Sequence, residues 1–217
     1  VGTRALEAAE VFNEMGKHTG FPLTEALWDE DETVRLTAVQ ALGELHDSQA
    51  VQPLLEILQK DQDGNIRAAA ALSLGDIGHE SAIHYLVAAA LSDEDSDVRD
   101  KAVEALVKMN HSTAIHPLLE ALQSEDTNIR SNAAYTLAQL GTLAVEPLIE
   151  MLGDENSRVR SEAAYALGEL GDGRAIGALS ALLEDENKRV RATVADAMEK
   201  LSLRALAPLV ESAKESD

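Results

Sequence analysis

The dipeptide Val-Arg or Ile-Arg occurs six times at nearly constant spacing, at Val34-Arg35, Ile66-Arg67, Val98-Arg99, Ile129-Arg130, Val159-Arg160 and Val190-Arg191. Successive arginines are 32, 32, 31, 30 and 31 residues apart. A period of this length leaves few folds open. It means one supersecondary unit, too small to bury its own apolar stripe, stacked on copies of itself.

The unit resolves into two helices. The first, helix A, reads "AVQPLLEIL" at 50–58, "AIHPLLEAL" at 114–122 and "AVEPLIEML" at 144–152. All five prolines (Pro22, Pro53, Pro117, Pro147, Pro208) fall at one place in this segment. Proline is tolerated in a first helical turn, where its missing N–H has no partner in any case, so the alignment marks where each A helix starts. The second, helix B, follows a short acidic link. Four residues before each arginine stands Asp31, Asp63, Asp95, Asp126, Asn156 or Asn187, residue types that cap helix N-termini. Apolar residues then recur at helical spacing, as in Val159, Ala163, Ala166, Leu167 and Leu170. The pattern stops at Gly16, Gly78, Gly141 or Gly171, with His46, Asn110 and Ser202 in that place elsewhere.

These signals predict an all-α solenoid, a right-handed superhelix of about six helix pairs with a half-repeat at each end and about fourteen helices in all. The expected divisions are a half unit at 1–16, units at 17–47, 48–79, 80–111, 112–141, 142–172 and 173–203, and a half unit at 204–217. A lone B helix is expected over 2–15 and a lone A helix over 203–214. With 3% aromatic residues the core must be built from Ala, Leu, Val and Ile in closely packed helices.

The formal net charge of −21 argues against nucleic acid as a partner, because phosphate neutralisation needs clustered Lys and Arg. Residues 1–172 carry 11 basic and 31 acidic side chains, against 7 and 8 in residues 173–217, so a basic partner would prefer the N-terminal repeats. The plainer reading of the same charge is solubility. No cysteine is present, which excludes disulfides, thiolate catalysis and Cys-ligated metal. Neither a membrane-spanning run nor a signal pattern is found, so no membrane is expected and a cytoplasmic location is the default.

The lines "RSEAAYALGELGDGRAIGALSALLEDENKRVR" (160–191) and "IRAAAALSLGDIG" (66–78) resemble the HEAT-repeat family, in particular its short-repeat branch, the phycobilisome-lyase-type HEAT-like repeats. The resemblance implies a ladder linking neighbouring repeats, built from Arg35, Arg67, Arg99, Arg130, Arg160 and Arg191 and from the acids standing six residues before five of them: Asp29, Asp61, Asp93, Asp154 and Asp185. The fourth unit departs from it with Ser124. The ladder also answers a local problem, since every arginine stands in a first helical turn, against the positive end of the helix dipole.

B-helix positions not needed for the core lie one, two, five and nine residues after each arginine and are expected on the concave face. At the fifth stand Gln40, Leu72, Glu104, Tyr135, Tyr165 and Asp196. Tyr135 and Tyr165 occupy equivalent places in adjacent repeats, and tyrosine is a favoured interface anchor. With Asn132 and Glu162 beside them they are the leading partner-binding candidates, followed by Glu104, Gln40, Asp196 and Trp28, which ends the first A helix. The competing reading is that the tyrosines fill gaps between Ala-rich helices.

Catalytic chemistry finds little support. His79, His84, His111 and His116 make two copies of His-x4-His, but residues five apart do not share a helix face, so metal is not expected and His79 and His111 read as turn residues. HEAT-repeat iron enzymes hold metal with His-Glu pairs on helices; the equivalents here are Ser161-Glu162 and Ser131-Asn132. No phosphate loop or nucleophile elbow is present. The chain therefore reads as a non-catalytic scaffold without a cofactor that binds a protein partner. The resemblance offers one alternative, a subunit of a bilin lyase or isomerase, or a chaperone, acting on a phycobiliprotein.

Overall fold

The computed structural model describes residues 23–214, with side chains through residue 204. The helix expected over 2–15, its stop at Gly16 and the proline at position 22 lie outside the described residues. The described residues form helices and turns, grouped in two compact units that divide between Ala114 and Ile115. The first unit holds α1 (Leu23–Ala26), α2 (Glu32–Glu44), α3 (Val51–Lys60), α4 (Gly64–Ile77), α5 (Ile83–Ser92) and α6 (Ser96–Met109). The second holds α7 (Ile115–Ala121), α8 (Thr127–Gln139), α9 (Val145–Met151), α10 (Ser157–Leu170), α11 (Ile176–Ala181) and α12 (Lys188–Lys214). Odd numbers are A helices and even numbers are B helices. The fold class is an all-α solenoid of paired helices.

Local chemistry sets the ends of the elements. Asp31, Asp63, Asp95, Asp126, Asn156 and Asn187 each accept a hydrogen bond at 2.7–3.0 Å from the backbone N–H two residues on. The B helices end where the chain turns to positive φ, at His46, Gly78, Asn110, Gly141 and Gly171. Glycine bears this conformation without a Cβ clash, and asparagine tolerates it. Ser202 does not end a helix. α12 runs through it to Lys214, and the separate A helix expected over 203–214 is its continuation. Serine is poorly suited to positive φ, the following Leu-Arg-Ala-Leu-Ala favours helix, and the Ser202 hydroxyl donates to Glu199 O at 2.8 Å along the same helix.

Within each unit the B helices lie side by side, α2–α4–α6 and α8–α10–α12, and each of α3, α5, α7, α9 and α11 packs on the B helix that follows it. The core is aliphatic, with Leu54, Leu74 and Leu86 fully buried in the first unit and Leu118, Leu137 and Leu167 in the second. Glycines let the B helices close up. A Cβ on Gly75 would lie 2.7 Å from Ala105 Cα, and one on Gly168 would lie 2.8 Å from Ala197 Cα. The alanine-rich B helices thus approach backbone to backbone, which is how a core with so few aromatics is filled.

The first-turn arginines solve the dipole problem in one recurring way. Each donates through Nη1 to the carbonyls six and five residues back, as Arg160 does to Asp154 O at 2.8 Å and Glu155 O at 3.0 Å. Arg35, Arg67, Arg99, Arg130 and Arg191 repeat the contact. The acid six residues back is thus held by its backbone, not its carboxylate. The carboxylate partner comes from the next repeat: Arg35 grips Asp61, Arg67 grips Asp93 and Arg160 grips Asp185, each through Nε and Nη2. These forks of two parallel bonds position both loops as well as pairing charge.

Arg130 and Asp154 form no such rung. In the three rungs the acid follows its arginine by 26, 26 and 25 residues. Asp154 follows Arg130 by 24, because the turn after α8 enters its short 3-10 segment directly at Gly141 and skips the capping residue found at 79 and 172. Arg130 Nε, the atom that elsewhere holds the acid, is buried without a hydrogen-bond partner. Asp29 accepts from the N–H of Asp31, Asp154 from that of Asn156, and Ser124, without a carboxylate, offers its hydroxyl to Asp126 N–H.

The pairing sets an acid limb of stability. Hydrogen bonding to Arg160 holds the Asp185 carboxyl below its ordinary value of 3.8, with burial opposing. Arg174 lowers Asp172 further, to about 2, by side-chain and backbone hydrogen bonds. A depressed folded pKa means the stabilisation is complete above the ordinary value and is lost as pH falls through the lowered one. Carboxyl NMR titration is expected to place Asp172 near 2 and Asp185 below 3.8. Asp185→Asn should flatten the fall in stability below about pH 4, and an unchanged acid slope would contradict the rung's role.

Candidate functional site

Side-by-side packing of α8, α10 and α12 brings equivalent positions of three repeats into register. The fifth position after each arginine presents Tyr135, Tyr165 and Asp196, all exposed, the tyrosines by 43% and 38%. The second presents Asn132 and Thr193, half-buried, with Glu162 buried between them. The ninth presents Gln139, Glu169 and Lys200. Tyr135 and Tyr165 do not stack on each other. The Tyr165 ring instead takes the Lys200 ammonium, 5.4 Å from its centroid and within cation–π range.

Between α10 and α12 lies a cleft of about 230 Å³. Glu162 and Ser161 line it from α10 and Thr193 and Ala197 from α12, with Tyr165, Asp196, Arg189 and Lys200 around them. The Glu162 side chain is 8% exposed and accepts from Arg189 Nη2 at 3.2 Å, whereas the Arg189 side chain is 60% exposed. Ser161 and Thr193 share a hydroxyl hydrogen bond of 3.0 Å across the helix pair. Lys200 pairs with Glu169, and that hydrogen bond is the main cause holding the ammonium pKa above its ordinary value. The Tyr165 hydroxyl is also pushed up, first by burial and then by Glu169, against the opposing pull of Lys200. Tyr165 therefore stays a neutral donor and acceptor at neutral pH.

The remaining candidates belong to the first unit. Trp28, 52% exposed, follows α1 and lines a second cleft of about 310 Å³ with Asp29, Arg35 and Asp61. Gln40 is exposed on α2. Glu104 is exposed on α6 and paired with Lys101 at 2.8 Å on its own helix. His79 and His111 close turns, each accepting from the backbone N–H two residues on. Among the described residues no group of His, Asp or Glu is arranged to hold a metal ion, and no helix is long and apolar enough to cross a membrane.

Arg189 is the cleft residue that sequence reasoning missed. A signal was present: two residues before each ladder arginine the chain reads Thr33, Asn65, Asp97, Asn128, Arg158 and Arg189, so cations replace small polar residues in two adjacent repeats. Both reach back to an acid of the preceding repeat, Arg158 to Glu125 at 2.9 Å and Arg189 to Glu162.

No curated protein matches the sequence. Among solved structures, the chain is similar to one from the microtubule plus-end tracking system of XMAP215, CLIP-170 and EB1, at 20% identity over 84% of this chain and 92% of that one, with a TM-score of 0.58. It is also similar to an archaeal HEAT-like repeat protein from Thermococcus onnurineus NA1, at 18% identity over 91% and 92% of the two chains, TM-score 0.46. A third is the CpcE–CpcF complex of phycocyanin lyase from Nostoc sp. PCC7120, at 24% identity over 93% and 90%, TM-score 0.41. The sequence profile of HEAT repeats matches residues 22–107, 86–147 and 145–217. A chain of helix pairs at a 31-residue period, each B helix capped by Asp or Asn, and matched by that profile over nearly its whole length, belongs to the HEAT-repeat family.

Proposed function

We propose that this chain is a non-catalytic scaffold that binds a protein partner across the exposed face of α8, α10 and α12, with Tyr135 and Tyr165 as its anchors. The observation that carries the reading is the exposure of these two side chains, at equivalent positions of adjacent repeats, where packing does not require them. Tyrosine offers a large contact area and a hydrogen bond at low entropic cost, the profile of an interface hot spot. Asn132, Glu162 and Asp196 surround them with polar groups suited to fixing orientation. Lys200 is held by Glu169 and over the Tyr165 ring, and Glu162 and Asp196 line the cleft with carboxylates that repel tetrapyrrole propionates, so the bilin reading draws no support from this face.

Co-purification on the tagged chain tests the proposal. The Tyr135→Ala/Tyr165→Ala double variant should keep its helical circular dichroism and lose the captured partner, each truncation costing about 2 kcal/mol or more of binding. A folded double variant that captures the same partner equally well overturns the reading.

A further inference from the structure

Every ladder cation in a formed rung is itself largely buried, Arg67 at 8% and Arg160 at 10% side-chain exposure. Arg189 breaks that rule. Its guanidinium meets a carboxylate whose 8% exposure falls within the 5–12% range of the rung acids, yet its own side chain lies mostly in water and makes one contact with Glu162, not a fork. A buried carboxylate needs a cation, because leaving the charge unpaired away from water is costly. It does not need this particular one. Arg189 is an exchangeable partner, since releasing it returns an already hydrated group to solvent.

We infer that the cleft between α10 and α12 receives a protonated arginine or lysine side chain of the partner, which takes over Glu162 from Arg189. This rests on the reading of the face as a protein-binding surface and names what that surface recognises. Charge complementarity selects a cation. Glu162 lies buried in the cleft, and Asp196 on its wall forms no ion pair among the described residues, leaving a second carboxylate for a guanidinium fork. Lys200 is neutralised by Glu169 and occupied over Tyr165, so it offers little to an anion. Ser161 and Thr193 add hydroxyl acceptors at the side. At about 230 Å³ the cleft is smaller than the pockets that enclose whole small molecules, which start near 300 Å³, and suits one long side chain. The Tyr165 ring, next to the cleft, offers apolar surface to the aliphatic stem of such a residue.

The test uses N-acetyl-arginine amide as the probe and NMR of the intact chain as the readout. Saturable shifts are expected at the Arg189 Nε–H and at the amides of Ser161 and Thr193. The neutral isostere N-acetyl-citrulline amide and the anionic N-acetyl-glutamate amide should give none. Arg189→Ala removes the internal competitor and should tighten the arginine probe about five- to ten-fold, and Glu162→Gln should abolish binding. No saturable shift on the unaltered chain, or equal shifts from the citrulline probe, overturns the inference without reference to any variant's folding. The two readings fail separately. Probe binding together with undiminished partner capture by the tyrosine double variant removes Tyr135 and Tyr165 as anchors and keeps the cleft. Tyrosine-dependent capture with a silent arginine probe does the reverse.

Discussion

Arg160→Ala is expected to destabilise the second unit by about 3–5 kcal/mol, measured by urea unfolding followed by circular dichroism. Arg160 donates to Asp185 through Nε at 2.8 Å and Nη2 at 2.9 Å, and to two loop carbonyls through Nη1. The Asp185 side chain is 6% exposed. Truncation would leave that carboxylate buried with the Asn187 N–H, at 2.7 Å, as its remaining hydrogen-bond donor. The penalty therefore comes from the stranded charge more than from the lost attraction. Lysine should recover only part of it, because an ammonium cannot form the two-bond fork and reach the carbonyls together. Arg130→Ala is the informative control, since Arg130 grips no acid and already carries an unpartnered Nε. It should cost markedly less than Arg160→Ala. Equal losses at the two positions would show that the carboxylate rung contributes nothing beyond the loop contacts that both arginines make.

Gly168→Ala is expected to cost about 1–3 kcal/mol, although alanine is the better helix former. The new Cβ would stand 2.8 Å from both Cα and Cβ of Ala197, and no rotamer can relieve a clash with a neighbouring backbone. α12 would have to move off α10. Because Ala197 lines the cleft, the same movement would open it and part the Ser161–Thr193 hydrogen bond. Gly177→Ala is the matched comparison. It lies in α11, a Cβ there meets nothing within 4 Å, and the substitution should raise stability by about 0.5–1 kcal/mol. One chemical change with opposite signs at two helical glycines separates close packing from helix propensity. Equal and favourable effects would mean that α10 and α12 do not approach as closely as their backbones indicate.

Much of this architecture was legible before any coordinates. The caps from Asp31 to Asn187 act on an N–H two residues away, and the stops at Gly78, Gly141 and Gly171 depend on one residue's own φ. Ser202 shows where that legibility ends. It occupies the stop position of the repeat but lacks the conformational freedom of glycine, and α12 continues through it. The exposure of Tyr135 and Tyr165 was open between two readings, and only the placement of the B helices left both part-exposed, at 43% and 38%. The burial of Glu162 had no local signal at all. It follows from α12 lying against α10 and from an arginine that reaches across 27 residues of chain.

The period, the helix pairs and their ends belong to the sequence because the interactions that set them act within one turn of chain. The ladder and the cleft belong to the tertiary structure because their partners stand 25–27 residues apart and meet only when helices stack in register. A turn one residue shorter leaves the repeat motif intact at Arg130 and Asp154, yet moves the acid out of reach and strands a buried Nε. Short-range chemistry tolerates that deletion, but a fork of two hydrogen bonds, with angstrom-scale limits on distance, does not.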